Sequence, residues 1–179
     1  MNIEQIRTQF PALKRTVNGQ SALYFDGSGG TQVPIAVIDA MSDFMRRGGA
    51  NLAPFFAAGA ETIATAQAAR EAMHDLLNAR RAEEIVFGQN MTSLTFSLSR
   101  ALSKTWEAGD EIILTRIDHD ANVSPWLLAA EERGVTVRWL DFRPHDCTLK
   151  LETLPDLLNE RTRLVAITYA SNAVGSISD

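Results

Sequence analysis

From residue 84 onward, short apolar runs alternate with helix-patterned stretches, and this alternation limits the fold more than any other feature of the chain. Residues 84–87 (EIVF), 111–115 (EIILT), 136–140 (TVRWL) and 163–169 (RLVAITY) each read as a strand, the last as a buried one. Between them, residues 92–104, 122–133 and 151–159 read as helices, the second closed by Gly134. Strands spaced by helices in this way predict parallel βαβ units: an α/β fold with a mostly parallel sheet and helices on both faces. Crossovers are expected to be right-handed. Before residue 84 the signal is helical. Pro34 stands at a first helical position, Ile35, Ile38, Met41 and Met45 share a face, and Gly48-Gly49 stops the run. An Ala-rich helix is expected over 62–78.

Such sheets bind ligands at the carboxyl ends of their strands, which selects a few segments. In Gly88-Gln89-Asn90-Met91-Thr92-Ser93, hydroxyls stand where a helix begins. Free amides and the helix dipole suit that place to a phosphate; the same residues also serve as an ordinary N-cap. In Asp118-His119-Asp120-Ala121-Asn122, a histidine follows a strand end. Its flat ring suits stacking on a heteroaromatic ligand or proton transfer, and a surface histidine capping the next helix is the equal alternative. Ser171-Asn172-Ala173-Val174-Gly175 places an amide donor past the last strand, although a plain turn explains it better in isolation. Near the front, Tyr24 to Pro34 (YFDGSGGTQVP) holds three glycines in four positions, allowing close backbone approach to a small ligand or merely a flexible connection.

Composition removes several function classes. Seventeen basic against 22 acidic residues give a net charge of −5, which argues against nucleic acid as the main partner. No apolar run reaches the ~18 residues of a membrane span, and the polar N-terminus is not patterned as a signal peptide. The single cysteine, Cys147, excludes a disulfide framework, and no His/Cys spacing suggests a metal site. The expected compartment is cytoplasmic.

Taken together and in order, these segments resemble the class V aminotransferase family, in particular its cysteine desulfurase and selenocysteine lyase branch. Tyr24 to Pro34 is similar to that family's Y-L-D-x-A-A-T-x-x-x-P segment. Gly88 to Ser93 is similar to its phosphate turn, Asp118 to Trp126 (DHDANVSPW) to its E-H-x-A-N-x-x-P-W motif, and Thr162 to Gly175 to its T-x-L-V-A-x-x-x-x-S-N-x-x-G motif. The histidine motif followed ~50 residues later by the Ser-Asn motif is the specific combination. Gly29-Gly30, Asp118 and Asn90-Met91 depart from the family pattern.

The resemblance implies a pyridoxal-phosphate (PLP) enzyme of fold type I. Met91 and Thr92 would hold the phosphate, His119 would stack on the pyridine ring and serve proton transfer, and Asn172 would bond the phenolic oxygen. Gly29 and Gly30 would approach a small amino-acid substrate. The reaction implied is removal of sulfur from L-cysteine or a related amino acid, in a homodimer, with a sulfur-acceptor protein as a possible partner. Residues 1–50 would form an N-terminal segment carrying the substrate-side glycine loop, and 51–179 the first half of the large PLP-binding domain. The family's Schiff-base lysine has no counterpart here: Lys14, Lys104 and Lys150 stand outside its context. The family fold also sets the strand near Val86 apart from the other three and leaves the strand at 163–169 with an open apolar edge, so an N-terminal fragment, inactive alone, is expected. The alternatives are an aminotransferase, epimerase or kynureninase-like relative, a non-catalytic partial domain, and an unrelated α/β binding domain.

Overall fold

A computed structural model describes residues 2–179. The chain forms two compact units that meet in sequence between Phe87 and Gly88.

The first unit is mainly helical. Helix α1 (Ile3–Arg7) is capped by Asn2, whose Oδ1 accepts the Glu4 N–H at 3.0 Å. Two short strands, β1 (Thr16–Val17) and β2 (Gln20–Ser21), pair antiparallel. Helix α2 (Ile35–Arg47) ends at Gly48, which takes the left-handed conformation (φ 81°) that glycine tolerates. Pro34 is not the first helical residue: it is extended (ψ 149°) and stands just outside the helix. Helix α3 (Ala57–Leu77) begins five residues earlier than the sequence pattern indicates and stops at left-handed Asn78. Its Ala-Ala-Gly-Ala start carries no amphipathic signal, so periodicity alone misses the first turn.

The expected strand at 84–87 does not form. A 3₁₀ turn covers Ala82–Glu84, and Ile85 is extended (φ −87°, ψ 118°) without joining a ladder. Val86 and Phe87 are exposed. An extended apolar tetrapeptide becomes a strand only when a neighbour supplies backbone partners, and among the described residues none does.

The second unit holds the parallel sheet. Strands β3 (Glu111–Thr115), β4 (Thr136–Leu140) and β5 (Thr162–Ala166) lie in the order β4-β3-β5. Both pairings are parallel, with Leu114 opposite Trp139 and Ala166. All five residues of β3 are buried, because it is central and covered on both faces. On one face, Ile112 and Leu114 pack with Trp126, Ala129 and Ala130 of helix α5 (Ser124–Arg133), with Val135 and with Trp106. On the other, Ile113 packs with Leu140 and Leu149 and is flanked by Leu154 and Leu157 of helix α6 (Leu154–Leu157). Helices on both faces follow from this alternation.

Strand β5 corrects one expectation. It is not buried throughout: Val165 stays 38% exposed, and the ladder stops at Ala166 rather than Tyr169. Among the described residues β5 is an edge strand, so only one side of its backbone is paired. Helix α4 (Met91–Leu102) runs on into a 3₁₀ turn over Ser103–Thr105, and α6 is one turn long after a 3₁₀ turn over Leu151–Thr153.

The amino end of the sheet is tied by ions. Glu111, almost fully buried, accepts from Arg138 Nη2 at 2.9 Å, from Arg138 Nε, and from Asn159 Nδ2 at 2.6 Å, with Arg161 at 3.5 Å. Hydrogen bonds from Arg138 and then Asn159 hold its carboxyl down to about 2. The β3–β5 register slips between Glu111 and Ile112, leaving Arg163 out of the pairing. Its Nε reaches Asp110 at 2.9 Å, and that bond holds the Asp110 carboxyl below its ordinary value.

Candidate active site

The carboxyl ends of the same strands open onto a cleft of about 650 Å³, lined among others by Asn90, Met91, Thr92, His119, Thr168 and Asn172. Each wall has a local cause.

The first wall is the start of α4. Asn90 is extended (φ −167°), and its Oδ1 accepts the Ser93 N–H at 2.9 Å, so Asn90 is the N-cap. Thr92 and Ser93 are therefore relieved of the capping role that their hydroxyls would otherwise fill. The amides of Met91 and Thr92 lie in the first helical turn, where no intrahelical acceptor exists. Both residues are exposed in the cleft. Gly88 lets the Leu94 side chain pack close: a Cβ at that position would lie 2.5 Å from a Leu94 side-chain carbon, and Leu94 would have to shift.

The second wall follows β3. A 3₁₀ turn over Asp120–Asn122 precedes α5, and His119 is its N-cap. Its Nδ1 accepts the Ala121 N–H at 3.0 Å. That bond uses the Nδ1 lone pair, so the neutral ring carries its proton on Nε2. Capping and ring presentation, alternatives in the sequence, coexist: one nitrogen caps while the exposed ring lines the cleft.

The third wall follows β5. Gly175 N–H donates to the Ser171 carbonyl at 2.9 Å, and Ser171 N–H to the Ser176 carbonyl at 2.9 Å. Ser171 is buried and Asn172 exposed, so this turn presents the Asn172 amide to the cleft. Again the turn and the binding role are compatible.

Met91, Thr92, His119 and Asn172 thus meet around one cleft, although 81 positions separate the first from the last in sequence. Gly29 and Gly30 lie in the first unit, where their amides close successive turns onto Asp26 (2.8 Å) and Gly27 (3.3 Å). Among the described residues, no lysine lines the cleft. Cys147 sits in a turn between Phe142 and Leu149 with a left-handed backbone (φ 58°). No cluster suited to a metal ion occurs among the described residues, and no described helix is long and apolar enough to cross a membrane.

Two lining residues carry more than their sequence motifs indicate. Asn90 has a legible signal, an Asn three residues before a Ser at a helix start. Asp118 has a weaker one, its spacing of four from Asn122, and another partner, Thr168, is 50 residues away.

The chain is similar to proteins of known activity. The cysteine desulfurase of Serratia proteamaculans is 38% identical over 178 residues, covering 98% of this chain and 44% of that protein. The crystal structure of the cysteine desulfurase CsdA from Escherichia coli superposes with a TM-score of 0.84 at 30% identity, over 100% of this chain and 44% of that one. A mutant of C-DES with glycine covalently linked to its PLP cofactor gives 0.67 at 25% identity, over 89% of this chain and 39% of that one. The chain therefore spans less than half the length of the relatives it matches. The family model of the class-V aminotransferases matches residues 23–179, and the chain belongs to that family.

Proposed function

We propose that the cleft is the phosphate, ring and oxygen subsite of a pyridoxal-phosphate enzyme that removes sulfur from L-cysteine or a related amino acid. The observation that carries this is the convergence of three unlike groups: first-turn amides with a threonine hydroxyl, an imidazole, and an asparagine amide. A flat heteroaromatic phosphate monoester needs those three and little else. The cleft's volume and its apolar members Ala121 and Ile167 also suit such a molecule.

Pyridoxal phosphate, when bound, supplies an electron sink for bonds broken next to an amino acid's amine. The remaining work falls to the chain. Met91 and Thr92 bind the phosphate through their amides and the Thr92 hydroxyl, aided by the positive end of α4. His119 covers the ring and holds a proton on Nε2. Asn172 donates to the phenolic oxygen. Gly29 and Gly30, within the substrate-side segment 1–50, approach the amino acid, and 51–179 is the cofactor-holding part. The relatives named above as cysteine desulfurases favour sulfur removal over transamination. A homodimer, a cytoplasmic location and a sulfur-acceptor protein belong to the same proposal.

The cofactor half is tested with pyridoxine 5′-phosphate, which lacks the aldehyde and cannot react with lysine. The chain is expected to bind it, and Thr92→Val and Asn172→Ala to weaken binding by roughly tenfold each. Unchanged affinity in both variants would remove the assignment. The reaction half is tested in a polypeptide combining this chain with a cleft lysine. With dithiothreitol present, alanine is expected from L-cysteine, the sulfur passing to a thiol as a persulfide that excess dithiothreitol then reduces to sulfide while itself being oxidised to its disulfide; a keto acid instead would favour the aminotransferase alternative.

A further inference from the structure

We propose that Asp118 is the positioning residue of the cleft, the group that holds the His119 wall and the Asn172 wall in register. The inference rests on the reading of the cleft as a pyridoxal-phosphate site and extends it to a residue that touches neither phosphate nor ring in that reading.

The Asp118 carboxylate has three donors, all neutral. Thr115 Oγ1, at the last position of β3, donates to Oδ2. The Thr168 N–H, just past β5, donates to the same oxygen at 3.0 Å. Asn122 Nδ2 donates to Oδ1 at 3.0 Å, and Asn122 Oδ1 accepts the Trp126 indole N–H at 3.1 Å. The chain of bonds therefore runs from the core of α5, where Trp126 is buried, through Asp118 to the segment after β5. Beyond Thr168 the loop is fastened to the same point. Ser178 Oγ donates to the Thr168 carbonyl at 2.7 Å, and Ser178 N–H to the Tyr169 carbonyl at 2.8 Å. Asn172 rides on that loop, and His119 is the next residue along the chain from Asp118.

A carboxylate suits this place for a specific reason. It is acceptor-only and takes several donors at once without choosing between them. An amide of the same shape offers one acceptor oxygen and must turn its NH2 toward a neighbour. Asp118→Asn therefore breaks the bridge while keeping the volume. The phosphate wall is built separately, by Asn90 and α4, and none of Asp118's bonds reaches it. Asp118 should govern binding of the ring and its oxygen and leave the phosphate subsite alone.

The test follows the ¹⁵N-labelled chain by NMR while titrating pyridoxine 5′-phosphate and, separately, inorganic phosphate. The reporters are the Thr92 amide and the Trp126 indole N–H. For Asp118→Asn, affinity for pyridoxine 5′-phosphate is expected to fall roughly tenfold, the scale of one to two lost hydrogen bonds. Affinity for inorganic phosphate should not change, and the Trp126 indole signal should shift. Thr115→Val removes one donor at constant shape and should give a smaller loss of the same kind; it decides the matter alone if Asp118→Asn does not fold. Equal losses for both ligands would make Asp118 a general structural residue and overturn the proposal, as would unchanged pyridoxine 5′-phosphate affinity. If the unaltered chain binds neither ligand, the cofactor reading itself fails and the proposal falls with it. That outcome is distinct because it precedes any substitution.

Discussion

The two ends of the parallel sheet are built from the same three strands and hold their buried or half-buried carboxylates in different ways. At the amino end, the buried carboxylates of Glu111 and Asp110 are closed off by Arg138, Arg161 and Arg163, whose own side chains stay partly exposed. At the carboxyl end, Asp118 is held only by neutral donors, His119 and Asn172 are exposed, and first-turn amides lack intrahelical acceptors. The difference separates tasks: the closed end ties neighbouring strands by ion pairs, and the open end leaves polar groups exposed in the cleft, as the proposed function requires. Substitutions should therefore divide stability from binding according to the end they touch.

The largest effect should come from the layer on which both ends depend. Ile113→Ala, at a fully buried position, is expected to cost about 2–5 kcal/mol in denaturant unfolding and to abolish binding with it. If binding survives at full strength, the cleft does not need the sheet. Next comes the closed end. Glu111→Gln should lower thermal stability while leaving pyridoxine 5′-phosphate affinity intact. Because its folded carboxyl sits at about 2 against an ordinary 4.5, the contribution of Glu111 is complete above pH 4.5 and is lost as pH falls toward 2. The unaltered chain should lose stability across that window, and Glu111→Gln should show a flatter profile in acid melts. An equally steep profile would assign acid sensitivity elsewhere.

Smaller effects sharpen the open end. Asn90→Ala removes the cap of α4 and should cost about 1 kcal/mol by chemical denaturation. No loss would mean that Thr92 or Ser93 takes over the cap, which in turn would compete with phosphate. Smallest in stability is His119→Ala, expected to cost about 0.5 kcal/mol, the low end for a lost cap, because it gives up the bond to the Ala121 N–H of a single 3₁₀ turn. Its pyridoxine 5′-phosphate affinity should nonetheless fall several-fold. A large loss of stability without a loss of affinity would make His119 a cap alone.

The strands of the second unit were legible as short β-branched and apolar runs spaced by helices, β3 buried throughout and β4 only partly; Glu111–Thr115 and Thr136–Leu140 match the sequence reading residue for residue. The ends of helices were less legible. Gly48 and Gly134 announce their stops, whereas the start of α3 and the one-turn length of α6 leave no periodic trace. Residues 84–87 have strand composition without strand structure, since a ladder needs a second backbone that no local pattern encodes.

By itself, the sequence determined the parallel α/β class, the family, and which four side chains meet at the carboxyl-end cleft, because those depend on local patterning and on motifs in order. Tertiary structure alone decided that Asn90 rather than Thr92 caps α4. It also decided that Arg163 leaves its ladder for Asp110, and that Asp118 joins Thr115 to Thr168. Each of these is a choice among competing polar partners. Such choices are settled by distance in space, and distance across 50 residues of chain is not written in the spacing of the letters.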